Sequence, residues 1–140
     1  MATRTAEPPQ LYRLNVGIML LNKSGKVFAG TRRNGKDDHW QMPQGGIDVG
    51  EEPWQAAQRE LYEETGVSDV AYFAEMTGWI SYDFPPETRR KLYGSWKKYK
   101  GQAQKWFLVR LEGPESQAGR SCSGAIANPP CLLSPYRVSP

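Results

Sequence analysis

GGIDVGEEPWQAAQRELYEETGV, residues 45–67, decides how this chain is to be read. A glycine pair leads into a short helix that presents Glu60, Glu63 and Glu64. At 100° per residue the three carboxylates fall within a ~100° arc and share one face. Carboxylates so close repel one another unless cations sit between them. Hard oxygen donors of this kind suit Mg²⁺, with Mn²⁺ as a substitute, and such ions are often shared with substrate phosphates. The stretch therefore reads as a device that holds metal against a polyphosphate.

The boundaries of this helix are marked locally. Pro53 suits a first helical position, with Glu51 and Glu52 beside the positive end of the helix dipole. Gly66 suits a C-terminal cap, after which Val67 resumes an apolar path. Ala56, Ala57 and Leu61 form the packing face, and the two alanines permit close approach to a sheet. Arg59, four residues before Glu63 and next to Glu60, has a fork that neutralises and orients carboxylates without competing for metal.

Working outward, 15–21 (NVGIMLL) and 26–31 (KVFAGT) read as strands around a polar turn at 22–25. Residues 40–42 form a short extended piece ended by Pro43. Residues 70–82, rich in aromatic and β-branched types, hold one or two strands. The late strand, 104–111 (QKWFLVRL), is apolar enough to predict burial on both faces, with Trp106 in the core. A mixed sheet with a helix across one face follows, in one domain of the α/β class. Residues 1–11 read as a flexible lead-in, and no internal repeat is visible.

Composition limits the function. The chain has 140 residues, enough for one core, and a net charge of +3 that does not by itself demand nucleic acid. No apolar run approaches the length of a membrane span, and no secretory leader is apparent. Cys122 and Cys131 fit neither a zinc pattern nor a disulfide framework, so a cytoplasmic location is the default. A plastid is the second reading, if a transit peptide is missing from this chain. His39, the only histidine, lies in a polar loop and reads as a surface residue.

The 45–67 segment resembles the Nudix box, G-x5-E-x7-R-E-U-x-E-E-x-G-U with U aliphatic. Gly45, Glu51, Arg59, Glu60, Leu61, Glu63, Glu64, Gly66 and Val67 fill its fixed positions in order. YRLNVGIML, WQMPQGGID, YDFP and GQAQKWFL are similar to one branch of that superfamily, from about Tyr12 to about Gly113. That branch contains RNA pyrophosphohydrolases and plant-type diadenosine tetraphosphate hydrolases. The resemblance implies an α/β/α sandwich over residues 12–113 and hydrolysis of a phosphoanhydride. It implies metal ligation by Glu60 and Glu64, by Glu63 directly or through water, and by the backbone at Gly45. Glu64, with Glu60, is the implied catalytic residue, and Glu64 would activate water. Glu51 would pair with Arg59 and, like Gly66, serve the structure of the motif. Arg13 and Arg33 lie where the branch grips 5′ phosphates. Tyr82 is a candidate nucleotide contact.

Between Arg89 and Lys105 the chain has seven Lys or Arg and no acid, with Tyr93, Trp96, Tyr99 and Trp106 interleaved. This suits phosphate attraction and base stacking, Lys105 included, or equally a solvated basic loop over core aromatics. Gln44 is either a phosphate contact or a turn residue. The expected substrate is a dinucleoside polyphosphate such as diadenosine tetraphosphate, cleaved asymmetrically. The 5′-triphosphate end of RNA is the alternative. The oligomeric state is not legible.

Residues 114–140 depart from the pattern. They contain five prolines, five serines, both cysteines and no periodicity, so they read as an irregular tail. The branch continues here with a glutamate-bearing loop, a Trp-rich strand and a long helix over the second sheet face; none is recognisable. The tail looks like a shifted frame or an alternative splice, with a genuine divergent tail as the other reading. This implies a C-terminal helix missing or replaced, a marginally stable or partner-dependent fold, and a second class of reading: an inactive nucleotide-binding isoform.

Overall fold

A computed structural model describes residues 2–31, 40–114 and 131–137. Its centre is a parallel pair, β2 (Tyr12–Leu21) and β8 (Gly101–Leu111), in unbroken register from Tyr12↔Gly101 to Leu21↔Arg110. The described strands follow the order β1-β7-β8-β2-β3-β4, while β5, β6 and β9 pair with β2, β8 and β3. The remaining strands are β1 (Thr3–Thr5), β3 (Lys26–Thr31), β4 (Trp40–Gln41), β5 (Gln44–Gly46), β6 (Val70–Glu75), β7 (Trp79–Asp83) and β9 (Cys131–Arg137). All their pairings are antiparallel, so the sheet is mixed, as the sequence predicts.

Alternation along β2 and β8 decides which side is core. Val16, Ile18 and Leu20 on β2 join Phe107, Val109 and Leu111 on β8 beneath α1 (Pro53–Thr65). Ala56, Ala57 and Leu61 are the buried residues α1 brings to that face, as its pattern predicts. Trp54 extends the contact, its ring 5.4 Å from that of Phe107 and 5.2 Å, edge-on, from that of Tyr72. The other faces of β2 and β8 turn away from α1. There Met19, Ile80, Trp106 and Leu108, with Met42, line a cavity of about 440 Å³.

Four sequence expectations need correction. Strand β8 is not buried on both faces: Trp106 and Leu108 are half-buried, because among the described residues no helix lies over them. Residues 3–5, expected to be flexible, form an edge strand against Trp79–Ser81. The β-branched Thr3 and Thr5 suit a strand, and Arg4 donates to the Thr77 carbonyl at 2.8 Å. Residues 131–137, expected to be irregular, pair with β3. Pro135 lies where that register shifts, consistent with the confinement of proline to edges and bulges. The basic stretch is not a plain loop: it contains α2 (Pro86–Lys91) and a 3₁₀ helix (Gly94–Lys98).

Candidate active site

Strand β5 is the floor of the site. Its pairing with β2 sets Gly45 opposite Val16 and Gly46 opposite Asn15, so the two glycines face opposite sides of the sheet. On the α1 side, a Cβ added to Gly45 would lie 2.0 Å from Glu60 Cδ. On the far side, a Cβ at Gly46 would lie 2.1 Å from Arg13 Nη2. The glycine pair is thus clamped between a carboxylate and a guanidinium, each in contact with bare backbone.

Arg59 ties α1 to this floor. It makes a two-pronged pair with Glu51, through Nε and Nη2 at 2.8 and 2.9 Å, and Nη2 also donates to the Gly46 carbonyl at 2.9 Å. Its Nη1 donates to Glu60 Oε1 at 2.9 Å and to Glu63 Oε2 at 3.2 Å. This guanidinium, aided by the Asp48 amide, holds the Glu51 carboxyl down at about 2. Burial pushes the Glu60 carboxyl up, opposed by Arg59.

The predicted acidic residues divide in two. Glu60 lies against Gly45, and Glu64 Oε2 accepts from the Gln44 amide at 3.2 Å, so both reach the Gln44–Gly45 edge. Glu63 is half-exposed and drawn to Arg59. No trio of His, Cys, Asp or Glu side chains converges closely enough to hold a metal among the described residues. Two carboxylates at a backbone edge still suit Mg²⁺, which keeps several waters and is commonly held by one or two carboxylates plus phosphates. Glu60 and Glu64 are the residues that would hold it. The raised Glu60 pKa fits this, since a buried carboxylate without full compensation is the kind that a cation stabilises.

Among the remaining predicted residues, Arg13, Gln44 and Tyr82 fall on the opposite sheet face. Arg13 lies over Gly46, its Cζ 4.3 Å from the centre of the Trp96 ring. Gln44 Oε1 accepts from Gln104 Nε2 at 2.7 Å, and the same nitrogen is 3.3 Å from Asn15 Oδ1. Tyr82, partly exposed, donates to Gln102 Oε1 at 3.3 Å. Lys105 is not in this group. It faces the α1 side, paired with Glu75 at 3.1 Å and lying 5.8 Å from the centre of the Trp79 ring. Gly66 caps α1 with φ 79°. Arg33 and His39 lie outside the described residues. The Asn15–Gln104–Gln44 amide chain and the Arg13–Trp96 stack were not assigned from sequence. Polar residues inside apolar strands were the available signal for the first; the second needed the tertiary fold.

A family model described as NUDIX domain matches residues 11–125. The chain belongs to the NUDIX family. It is 51% identical over 111 residues to Nudix hydrolase 26, chloroplastic, of Arabidopsis thaliana, covering 79% of this chain and 51% of that protein. It is 49% identical over 119 residues to an RNA pyrophosphohydrolase of Cereibacter sphaeroides, covering 83% and 72%. The NUDIX chain here thus spans about half the length of the plant relative. Its fold matches that of the E. coli dihydroneopterin triphosphate pyrophosphohydrolase with a TM-score of 0.60, covering 89% of this chain and 80% of that one at 18% identity. That likeness shows the NUDIX fold alone.

Proposed function

We propose that this NUDIX chain is an Mg²⁺-dependent pyrophosphohydrolase that cleaves dinucleoside polyphosphates such as diadenosine tetraphosphate asymmetrically. The observation that carries this reading is the glycine pair clamped between Glu60 and Arg13. It sets an acidic, metal-suited side within one backbone step of a cationic, phosphate-suited side. A divalent ion held by Glu60 and Glu64 would neutralise phosphate charge and lower the pKa of a bound water. Glu64, oriented by the Gln44 amide, accepts the proton from the attacking water. Arg13 meets the phosphate chain, and Tyr82 with Gln102 offers polar contacts to a nucleotide on the same face. Glu51 and Arg59 keep α1 against the glycine strand and take no part in proton transfer.

Removal of pyrophosphate from 5′-triphosphorylated RNA is the second reading. It is favoured by the bacterial relatives named RNA pyrophosphohydrolase. For the compartment, the cytosol is the first proposal. A plastid is the second, supported by the word chloroplastic in the plant relative's name. Chromatography of diadenosine tetraphosphate incubated with the protein and Mg²⁺ tests the main reading. ATP and AMP are the expected products, and Glu64→Gln is expected to slow their release about 10²–10⁴-fold. Turnover of triphosphorylated RNA alone would replace the substrate. Turnover of neither by folded protein would make this chain a nucleotide-binding isoform.

A further inference from the structure

We propose that Trp96 is a positioning residue that holds the Arg13 guanidinium in place beside Gly46, with its remaining N–H donors presented to the substrate phosphates. This role rests on the polyphosphate reading of the site. The two arginines at the glycine strand are held in opposite ways. The fork of Arg59 is filled in its own plane by Glu51, Glu60, Glu63 and the Gly46 carbonyl. Arg13 instead lies over an aromatic ring: its Cζ stands 4.3 Å from the centre of the Trp96 ring, and among the described residues no carboxylate forms an ion pair with it.

The distinction has a chemical consequence. A guanidinium stacked on an aromatic ring keeps its in-plane donors available, and those donors match phosphate oxygens two at a time. A long arginine side chain otherwise spreads over many rotamers, and that freedom must be lost on binding. Stacking removes part of it beforehand. Gly46 completes the seat, since a Cβ there would stand 2.1 Å from Arg13 Nη2.

Trp96 is itself fixed from behind. It belongs to the 3₁₀ helix Gly94–Lys98, and its carbonyl accepts from the Tyr99 amide at 3.0 Å. The Tyr99 ring meets it edge-on at 6.4 Å, with Lys98 Nζ 5.1 Å from the centre of that ring. The basic, aromatic segment thus acts on the site through one contact rather than through its charge alone.

Calorimetric titration of the full chain with inorganic tripolyphosphate in Mg²⁺, beside steady-state turnover of diadenosine tetraphosphate, tests this role. Trp96→Leu is expected to weaken tripolyphosphate binding and raise KM by about three- to tenfold, with kcat changed less than about twofold. Trp96→Phe, which keeps an aromatic face, is expected to restore both to near wild type. In an Arg13→Ala background, Trp96→Leu is expected to add nothing further. The role is overturned if Trp96→Leu binds normally, if Trp96→Phe is as weak as Trp96→Leu, or if the full effect persists without Arg13. A KM effect on diadenosine tetraphosphate that persists without Arg13, with tripolyphosphate binding unchanged, would make Trp96 a base-stacking platform instead. If wild type binds tripolyphosphate with the expected pattern yet hydrolyses no substrate, the catalytic reading falls and the role of Trp96 stands.

Discussion

Arg59 shows how one side chain joins a helix to a strand. It holds Glu51 on the loop before α1, Glu60 and Glu63 on α1, and the Gly46 carbonyl on β5. The Glu51 pKa follows the same geometry, held at about 2 against an ordinary 4.5. A carboxyl depressed on folding stabilises fully above its unfolded pKa and loses that contribution as pH falls through the folded value. Glu51→Gln is therefore expected to cost roughly 1.5–3 kcal/mol at pH 7. The difference from wild type should shrink between about pH 4.5 and about pH 2. Urea titrations of both proteins at pH 7 and pH 3 measure it, and an equal difference at both pH values would contradict the pairing. Gly45→Ala addresses the other side of the clamp. Its methyl would displace the Glu60 carboxylate, so the Mg²⁺ concentration for half-maximal turnover should rise about tenfold or more.

At the scale of elements, α1 is the best-read part of the chain. Pro53 begins it, Gln55 accepts from the Glu52 amide at 3.1 Å, and Gly66 ends it with its amide on the Tyr62 carbonyl at 2.8 Å. The left-handed φ of 79° makes Gly66 a residue where any side chain is strained. Gly66→Ala should cost about 1–2 kcal/mol, read as a lower denaturation midpoint at unchanged m-value. Strand bounds were less legible. Strand β2 starts at Tyr12 rather than Asn15, and β8 at Gly101 rather than Gln104. Residues 12–14 and 101–103 lie outside the apolar runs that mark the two strands, and their pairing depends on the partner strand. The same holds for β1 and β9, whose short or proline-bearing sequences become strands only because β7 and β3 offer open edges.

At the scale of the whole molecule, the two sheet faces are unequal. Beneath α1 the core is closed, with Val16, Val67 and Val109 fully buried. On the far face Met19, Ile80, Trp106 and Leu108 line a cavity with no helix over it among the described residues. Each such side chain would contribute roughly 1.5–3 kcal/mol on full burial, which is large against a domain stability of about 5–15 kcal/mol. We expect a melting midpoint at or below about 45 °C, the lower edge for small mesophilic domains, with binding of a hydrophobic dye in the native state. A sharp transition well above 65 °C without dye binding would show that the face is covered in solution.

By itself, the sequence determined the acidic helix, its caps, its packing face and the motif on which the proposed chemistry rests. Those depend on spacing within one segment, and spacing is fixed by covalent geometry. It also determined that a mixed sheet would carry the helix, because each main strand is marked by an apolar run of its own. Only the tertiary structure decided that Glu60 and Arg13 clamp opposite faces of one glycine strand. Only it turned Lys105 to the α1 side with Glu75 and set Trp96 against Arg13. These contacts join residues far apart in the chain through β2–β5 and β2–β8 register. Shifting a strand by one residue would send each of its side chains to the opposite face, and no local pattern records which register the partner adopts.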